Sequence, residues 1–116
     1  MPHLRIQRVN RLIQQELSRI ILRELDFSFD ALITLTRVET SGNLIQAKVY
    51  ISVIPENDAK RVFFVLNQRI YWLQQKLNQR LKMRPVPRIK FLEEKKTSEA
   101  HKIEEILEKT GSDFFI

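Results

Sequence analysis

The chain has 116 residues, 43% of them hydrophobic and 29% charged, with a formal net charge of +6 and no cysteine. That length suits one hydrophobic core and a single domain without disulfide staples, and the lack of cysteine excludes a thiolate metal centre and a cysteine nucleophile. There is neither a run of roughly 20 apolar residues nor, in Met1 to Asn10, the apolar centre of a signal peptide, so a cytoplasmic protein with no membrane partner is expected.

Ile6, Val9, Leu12, Ile13, Leu17, Ile20, Ile21 and Leu25 recur at three- and four-residue steps, which predicts an amphipathic helix over residues 5–25. Arg5, Arg8, Arg19 and Arg23 fall in a narrow arc beside its apolar face, a ridge that suits phosphate backbone as well as it suits an ordinary charged flank. Asp26 to Asp30 breaks the period and reads as a loop. Residues 32–39 and 45–53 are β-rich and alternate, and Thr40-Ser41-Gly42-Asn43 between them is turn chemistry with Gly42 able to take positive φ, so a hairpin is expected. In its second strand Ile45, Ala47, Val49, Ile51 and Val53 share one face, while Lys48 points to the other.

Pro55-Glu56-Asn57-Asp58 stops that strand and offers Asn57 or Asp58 as the N-cap of a further helix. Val62, Leu66, Ile70, Leu73, Leu77 and Leu81 carry its apolar stripe to about Lys82, and Pro85 and Pro87 end it. Arg69, Trp72, Lys76 and Arg80 run beside the stripe, and no Asp or Glu occurs between Ala59 and Leu92. Such a row pairs phosphates while Trp72 stacks on a base, although a solvated flank with Trp72 folded on the core has the same pattern. A third strand is predicted over Arg88 to Leu92, with Arg88 and Lys90 side by side. Together with Arg84 on the turn before it, one continuous basic surface from Arg69 to Lys90 is expected to contact RNA; charges on an edge strand also guard against sheet-to-sheet pairing.

Thr97 or Ser98 is placed to cap a final helix carrying Ile103, Ile106 and Leu107, with Gly111 to stop it and residues 112–116 as a short tail. The order α-β-β-α-(α)-β-α predicts an α+β fold in which helices cover one face of a three-stranded sheet. Nothing in the sequence is arranged for catalysis. His3 and His101 stand alone, the serines lack a nucleophile setting, two glycines cannot build a phosphate loop, and the glutamates of the last quarter read as a solvated acidic face. No cofactor, metal or small-molecule substrate is implied.

The words RVNRLIQQELSRIILREL, ITLTRVETSGNLIQAKVYISV and LQQKLNQRLKMRPVPRIKF resemble the ribosome-binding factor A family over Arg5 to about Leu107. The most specific parts are Arg8, Val9, Glu16 and Leu17, the strand from Ala47 to Val53, and Leu81, Arg84, Pro87 and Phe91 at their spacing. The resemblance implies a type II KH-like domain over residues 1–111, acting as a monomer without being an enzyme. It further implies binding to the free small (30S) subunit and its 16S ribosomal RNA, with assistance to late maturation and 5′-end processing. KH domains hold nucleic acid on a Gly-x-x-Gly loop, which glycines at 42 and 111 alone cannot supply. The family replaces that loop with an Ala-x-Gly kink, and the aligned positions here are Arg69, Ile70 and Tyr71. Either the helix runs unbroken from Asp58 to Lys82 or packing imposes the bend.

Two rival functions fit a small basic protein. A DNA-binding regulator requires a recognition helix and a dimer seam, and neither is visible. A module docking on a ribosomal protein or another assembly factor requires binding that is insensitive to salt, whereas phosphate contacts weaken steeply as salt rises.

Overall fold

The computed structural model describes residues 2–27 and 30–94, with side chains from Leu4 onward. The expected final helix and the tail after Gly111 lie outside the described residues. Helix α1 spans Pro2–Glu24, strands β1 and β2 span Leu32–Thr40 and Gln46–Ile54, a 3-10 turn covers Glu56–Asp58, helices α2 and α3 span Ala59–Gln68 and Ile70–Arg80, and strand β3 spans Arg88–Glu93. The sheet order is β1-β2-β3, with β2 antiparallel to β1 and parallel to β3.

The apolar spacing of α1 acts as it predicts: Val9, Ile13, Leu17, Ile20 and Ile21 are all buried. They meet the inward residues of the sheet, Leu35, Val38, Ala47, Val49, Ile51, Val53, Ile89 and Phe91, together with Val62 and Leu66 of α2 and Leu73 and Leu77 of α3. Fully burying a side chain of this size stabilises by about 1.5–3 kcal/mol, so this one core dominates the favourable side of folding. Polar groups at the α1 and β1 boundary are matched as well. Asn10 Oδ1 accepts from the backbone N–H of Thr40 at 2.8 Å, and Gln14 Nε2 donates to the carbonyls of Leu35 and Thr36 at 3.3 and 3.2 Å.

Four local expectations change. The pairing of β1 with β2 shifts between Leu35 and Arg37, so Thr36 is an extra residue and Leu35 and Val38 both reach the core. The positive φ of the hairpin turn belongs to Leu44, at 62°, and not to Gly42. Leu44 donates its N–H to the Ser41 carbonyl at 2.9 Å and packs its side chain on the core, contacts that offset roughly 1–2 kcal/mol of left-handed strain. Ile45 is 63% exposed because the strand starts one residue later, at Gln46. Neither Asn57 nor Asp58 caps α2 through its side chain; Asp58 pairs instead with Arg61 at 3.4 Å.

The helix stripe from Val62 to Leu81 does not form one helix. Arg69 takes φ −105° and ψ 10°, outside the helical basin, and separates α2 from α3. Its N–H lies 3.1 Å from the Val65 carbonyl and 3.2 Å from that of Leu66, so the junction is hydrogen-bonded without any glycine. Leu66 and Leu73, on either side of the break, are both fully buried, so the apolar stripe stays on the core across it.

Candidate nucleic-acid interface

Helix α3 presents two different flanks on either side of its buried Leu73 and Leu77. One flank faces α1. There Lys76 Nζ lies 3.8 Å from Glu24 and Arg80 lies 3.4 Å from Glu16, which also pairs with Arg19 at 3.2 Å. The two inter-helix pairs show that α1 and α3 run antiparallel. Trp72, half-buried against the core, has the Arg69 guanidinium 4.6 Å and the Lys76 ammonium 5.4 Å from its ring centroid. The row Arg69, Trp72, Lys76 and Arg80 is therefore gathered on one flank, but acids from α1 neutralise part of it. Its own segment contains no acid, and only the tertiary fold brings Glu16 and Glu24 alongside.

Because the helices are antiparallel, the first turns of α1 run toward the end of α3 and the segment after it. Arg5 and Arg8 are exposed there, as is Lys82. None of these three has an ion pair among the described residues. With Arg19 and Arg80 sharing the single carboxylate of Glu16, this seam keeps a net positive charge. Arg84 has a structural role: Nη1 donates to the carbonyls of Leu81 and Met83 at 2.9 and 2.6 Å, closing the end of α3.

The other flank of α3 faces β3. Ile70, Tyr71, Gln74, Gln75, Asn78, Val86, Arg88 and Ile89 line an open groove of about 450 Å³. Gln74 fastens the two elements together: Nε2 donates to the Pro87 carbonyl at 3.1 Å and Oε1 accepts from the Ile89 N–H at 2.9 Å. Tyr71 is 77% exposed at the rim, and Gln75 and Asn78 offer amides along the wall. An aromatic ring beside amides and a cation supplies the stacking and edge hydrogen bonds that unpaired bases need. Sequence reasoning missed this groove, because Gln74, Gln75 and Asn78 carry no charge and their alignment with β3 depends on the crossover.

The expected continuous surface from Arg69 to Lys90 is not formed. Along β3, Ile89 and Phe91 are buried while Arg88 and Lys90 are exposed, which turns Lys90 to the outer face and leaves Arg88, at the start of the strand, on the edge that borders the groove. Helix α3 and the sheet itself thus separate the Arg69–Arg80 row from Arg88 and Lys90. Their neighbour is Lys48, which stands in register with Lys90 on the outer face of the sheet.

That outer face also holds a cluster with no clear signal in the sequence. The Arg37 guanidinium lies 3.8 Å from the Tyr50 ring centroid, reaches Glu94 at 2.7 Å, and also pairs with Glu39, to which the Tyr50 hydroxyl donates at 3.2 Å. The hydrogen bond from Arg37 holds the Glu94 carboxyl below the ordinary glutamate range, against the opposing effect of burial; Thr36 Oγ1, 3.0 Å away, adds to it. Burial, followed by the charge of Glu39, pushes the Tyr50 phenol up. Arg37 opposite Tyr50 is a register pair once the bulge is known, whereas Glu94 arrives from the far strand. Among the described residues, no group of three His, Cys, Asp or Glu side chains is placed to hold a metal ion, and no helix is long and apolar enough to cross a membrane.

A KH-like α+β fold with cationic flanks and an amide-lined groove defines a small binding module. The chain belongs to the ribosome-binding factor A family, whose model matches residues 5–107. It is 32% identical over 106 residues to ribosome-binding factor A of Nitrosococcus oceani, covering 90% of this chain and 84% of that protein. It is 37% identical over 90 residues to the Pseudomonas paraeruginosa protein of the same name, covering 75% and 70%. Among solved structures, the crystal structure of ribosome-binding factor A from Thermus thermophilus has the same fold, with a TM-score of 0.62 at 22% identity over 76% of this chain and 94% of that one. A Thermus thermophilus ribosome-binding factor A fitted into the cryo-electron-microscopy map of its 30S complex is also similar, with a TM-score of 0.59 at 25% identity over 72% and 88%.

Proposed function

We infer that the chain is a maturation factor that binds the 30S ribosomal subunit and performs no catalysis, in keeping with its family and with the 30S complex of its Thermus relative. We further propose that it works in the cytoplasm as a monomer, contacts 16S ribosomal RNA directly, and assists late maturation and 5′-end processing by holding RNA in place. The observation that carries the RNA contact is the seam between α1 and α3. Arg5, Arg8 and Lys82 are exposed there without a carboxylate partner among the described residues, beside Arg19 and Arg80, which share one. Clustered cations of this kind gain affinity by releasing phosphate counterions. The groove between α3 and β3, with Tyr71 at its rim, suits an unpaired base next to that backbone.

The test is co-sedimentation of an Arg5→Gln/Arg8→Gln/Lys82→Gln variant with free 30S subunits over a range of salt. Weaker binding is expected, with a salt slope shallower by roughly 0.7–0.9 per lost phosphate contact. Unchanged binding and slope in a folded variant count against the seam. Salt-insensitive binding by the unaltered protein points to docking on a protein, and preference for duplex DNA points to a regulator.

A further inference from the structure

The outer face of the sheet carries a second concentration of positive charge. Lys48 on β2 and Lys90 on β3 are directly in register, and Arg88, two residues before Lys90, pairs in register with Gln46. All four side chains are exposed. Like charges directly opposed on neighbouring strands destabilise a sheet, and alternate residues of one strand stand only about 6.6 Å apart on the same face. The three cations and the Gln46 amide therefore form a compact patch of four side chains, with Arg88 at the corner that borders the α3–β3 groove.

Glu39 is the cross-strand neighbour of Lys48, yet its carboxylate is engaged elsewhere: Arg37 pairs with it and the Tyr50 hydroxyl donates to it. The same guanidinium holds Glu94, the other carboxylate of this region. Arg37 thus consumes both acids and leaves Lys48, Arg88 and Lys90 with no ion pair among the described residues. A patch of this kind fits consecutive phosphates of a nucleic-acid backbone.

We propose that the outer sheet face is a second RNA-binding surface, so that the protein touches two separate RNA segments, one at the α1–α3 seam and one at Lys48, Arg88 and Lys90. The inference rests on the RNA-binding reading above, because that reading places the protein among RNA segments. The two surfaces lie on opposite sides of the sheet, which is too thick for one strand of RNA to contact both at once without passing around an edge. The protein then acts as a spacer that fixes the distance between two segments.

The test uses the full chain bound to 30S subunits, with a photo-crosslinking amino acid placed at Gln46 on the sheet face or at Gln15 on the exposed side of α1. Both positions are expected to crosslink to ribosomal RNA, at different nucleotides. In parallel, a Lys48→Gln/Lys90→Gln variant is expected to lose the Gln46 crosslink, keep the Gln15 crosslink, and show a salt slope lower by about 1.4–1.8. The inference is overturned if Gln46 crosslinks only to ribosomal proteins, to nothing, or to the nucleotides reached from Gln15. It is equally overturned if the double variant binds with unaltered slope. Absence of RNA crosslinks from both positions while the protein still binds would instead sink the RNA-binding reading itself.

Discussion

Arg37 lies across the ring of Tyr50, 3.8 Å from its centroid, and from there reaches Glu94 on the far side of the sheet. One side chain on an edge strand thereby ties β1 and β2 to the residue that follows β3, on the face that none of the described helices covers. The Glu94 carboxyl is depressed by this hydrogen bond, so its contribution to stability is present above its unfolded value and is lost as pH falls through the folded one. The stability of the protein is expected to decline below the ordinary glutamate range, and a Glu94→Gln variant is expected to decline less over the same interval. Because Arg37 is about half exposed, the effect is about 1 kcal/mol or smaller. Urea unfolding of both proteins at several acidic pH values measures it; parallel curves would remove Glu94 from the account.

Restoring the small residue and the glycine of the family kink is expected to harm this chain. The break here sits at Arg69, whose φ of −105° suits any residue, and Tyr71 already belongs to α3. An Arg69→Ala/Tyr71→Gly variant places glycine in a helix, at a cost of roughly 1 kcal/mol, and strips the aromatic rim from the groove. Chemical denaturation is expected to show the loss. A more stable variant would mean that the junction is strained.

Gly42 is expected to tolerate alanine with a small gain. Nothing lies within 4 Å of a Cβ built there, and the left-handed residue of the turn is Leu44. Reducing the freedom of the unfolded chain stabilises by about 0.4–1 kcal/mol. Thermal unfolding of Gly42→Ala reads the sign directly, and a clear loss would show that the turn needs glycine after all.

Glu16 restrains the seam. Glu16→Gln frees Arg19 and Arg80 and is expected to tighten 30S binding a few-fold, with a steeper salt slope, while exposed ion pairs of this kind cost under about 1 kcal/mol when broken. Weaker binding by this variant, in a folded protein, would show that Glu16 positions Arg80 for its ligand.

Much of the fold is legible in the sequence because it follows from local periodicity. The spacing from Val9 to Ile21 places α1 and alternation from Ala47 to Val53 places β2, whereas α3 already ends at Arg80, ahead of Pro85 and Pro87. Even the pairing of Arg88 with Lys90 on one face follows from the two-residue repeat of a strand. The bulge at Thr36, the break at Arg69 and the left-handed Leu44 do not: Leu66 and Leu73 keep one buried stripe across the break, so the apolar spacing runs through it unmarked.

For the site the division is sharper. The sequence by itself determined that cations crowd the segment from Ala59 to Leu92 and that this segment lacks acids. Only the tertiary structure decided which of those cations remain available. It set Glu16 and Glu24 against Arg80 and Lys76, gave Glu39 and Glu94 on the outer face to Arg37, and turned Lys48 and Lys90 away from the helices. Charge is a property of residues, whereas neutralisation depends on distance, and the crossover between β2 and β3 sets distances that no local pattern records.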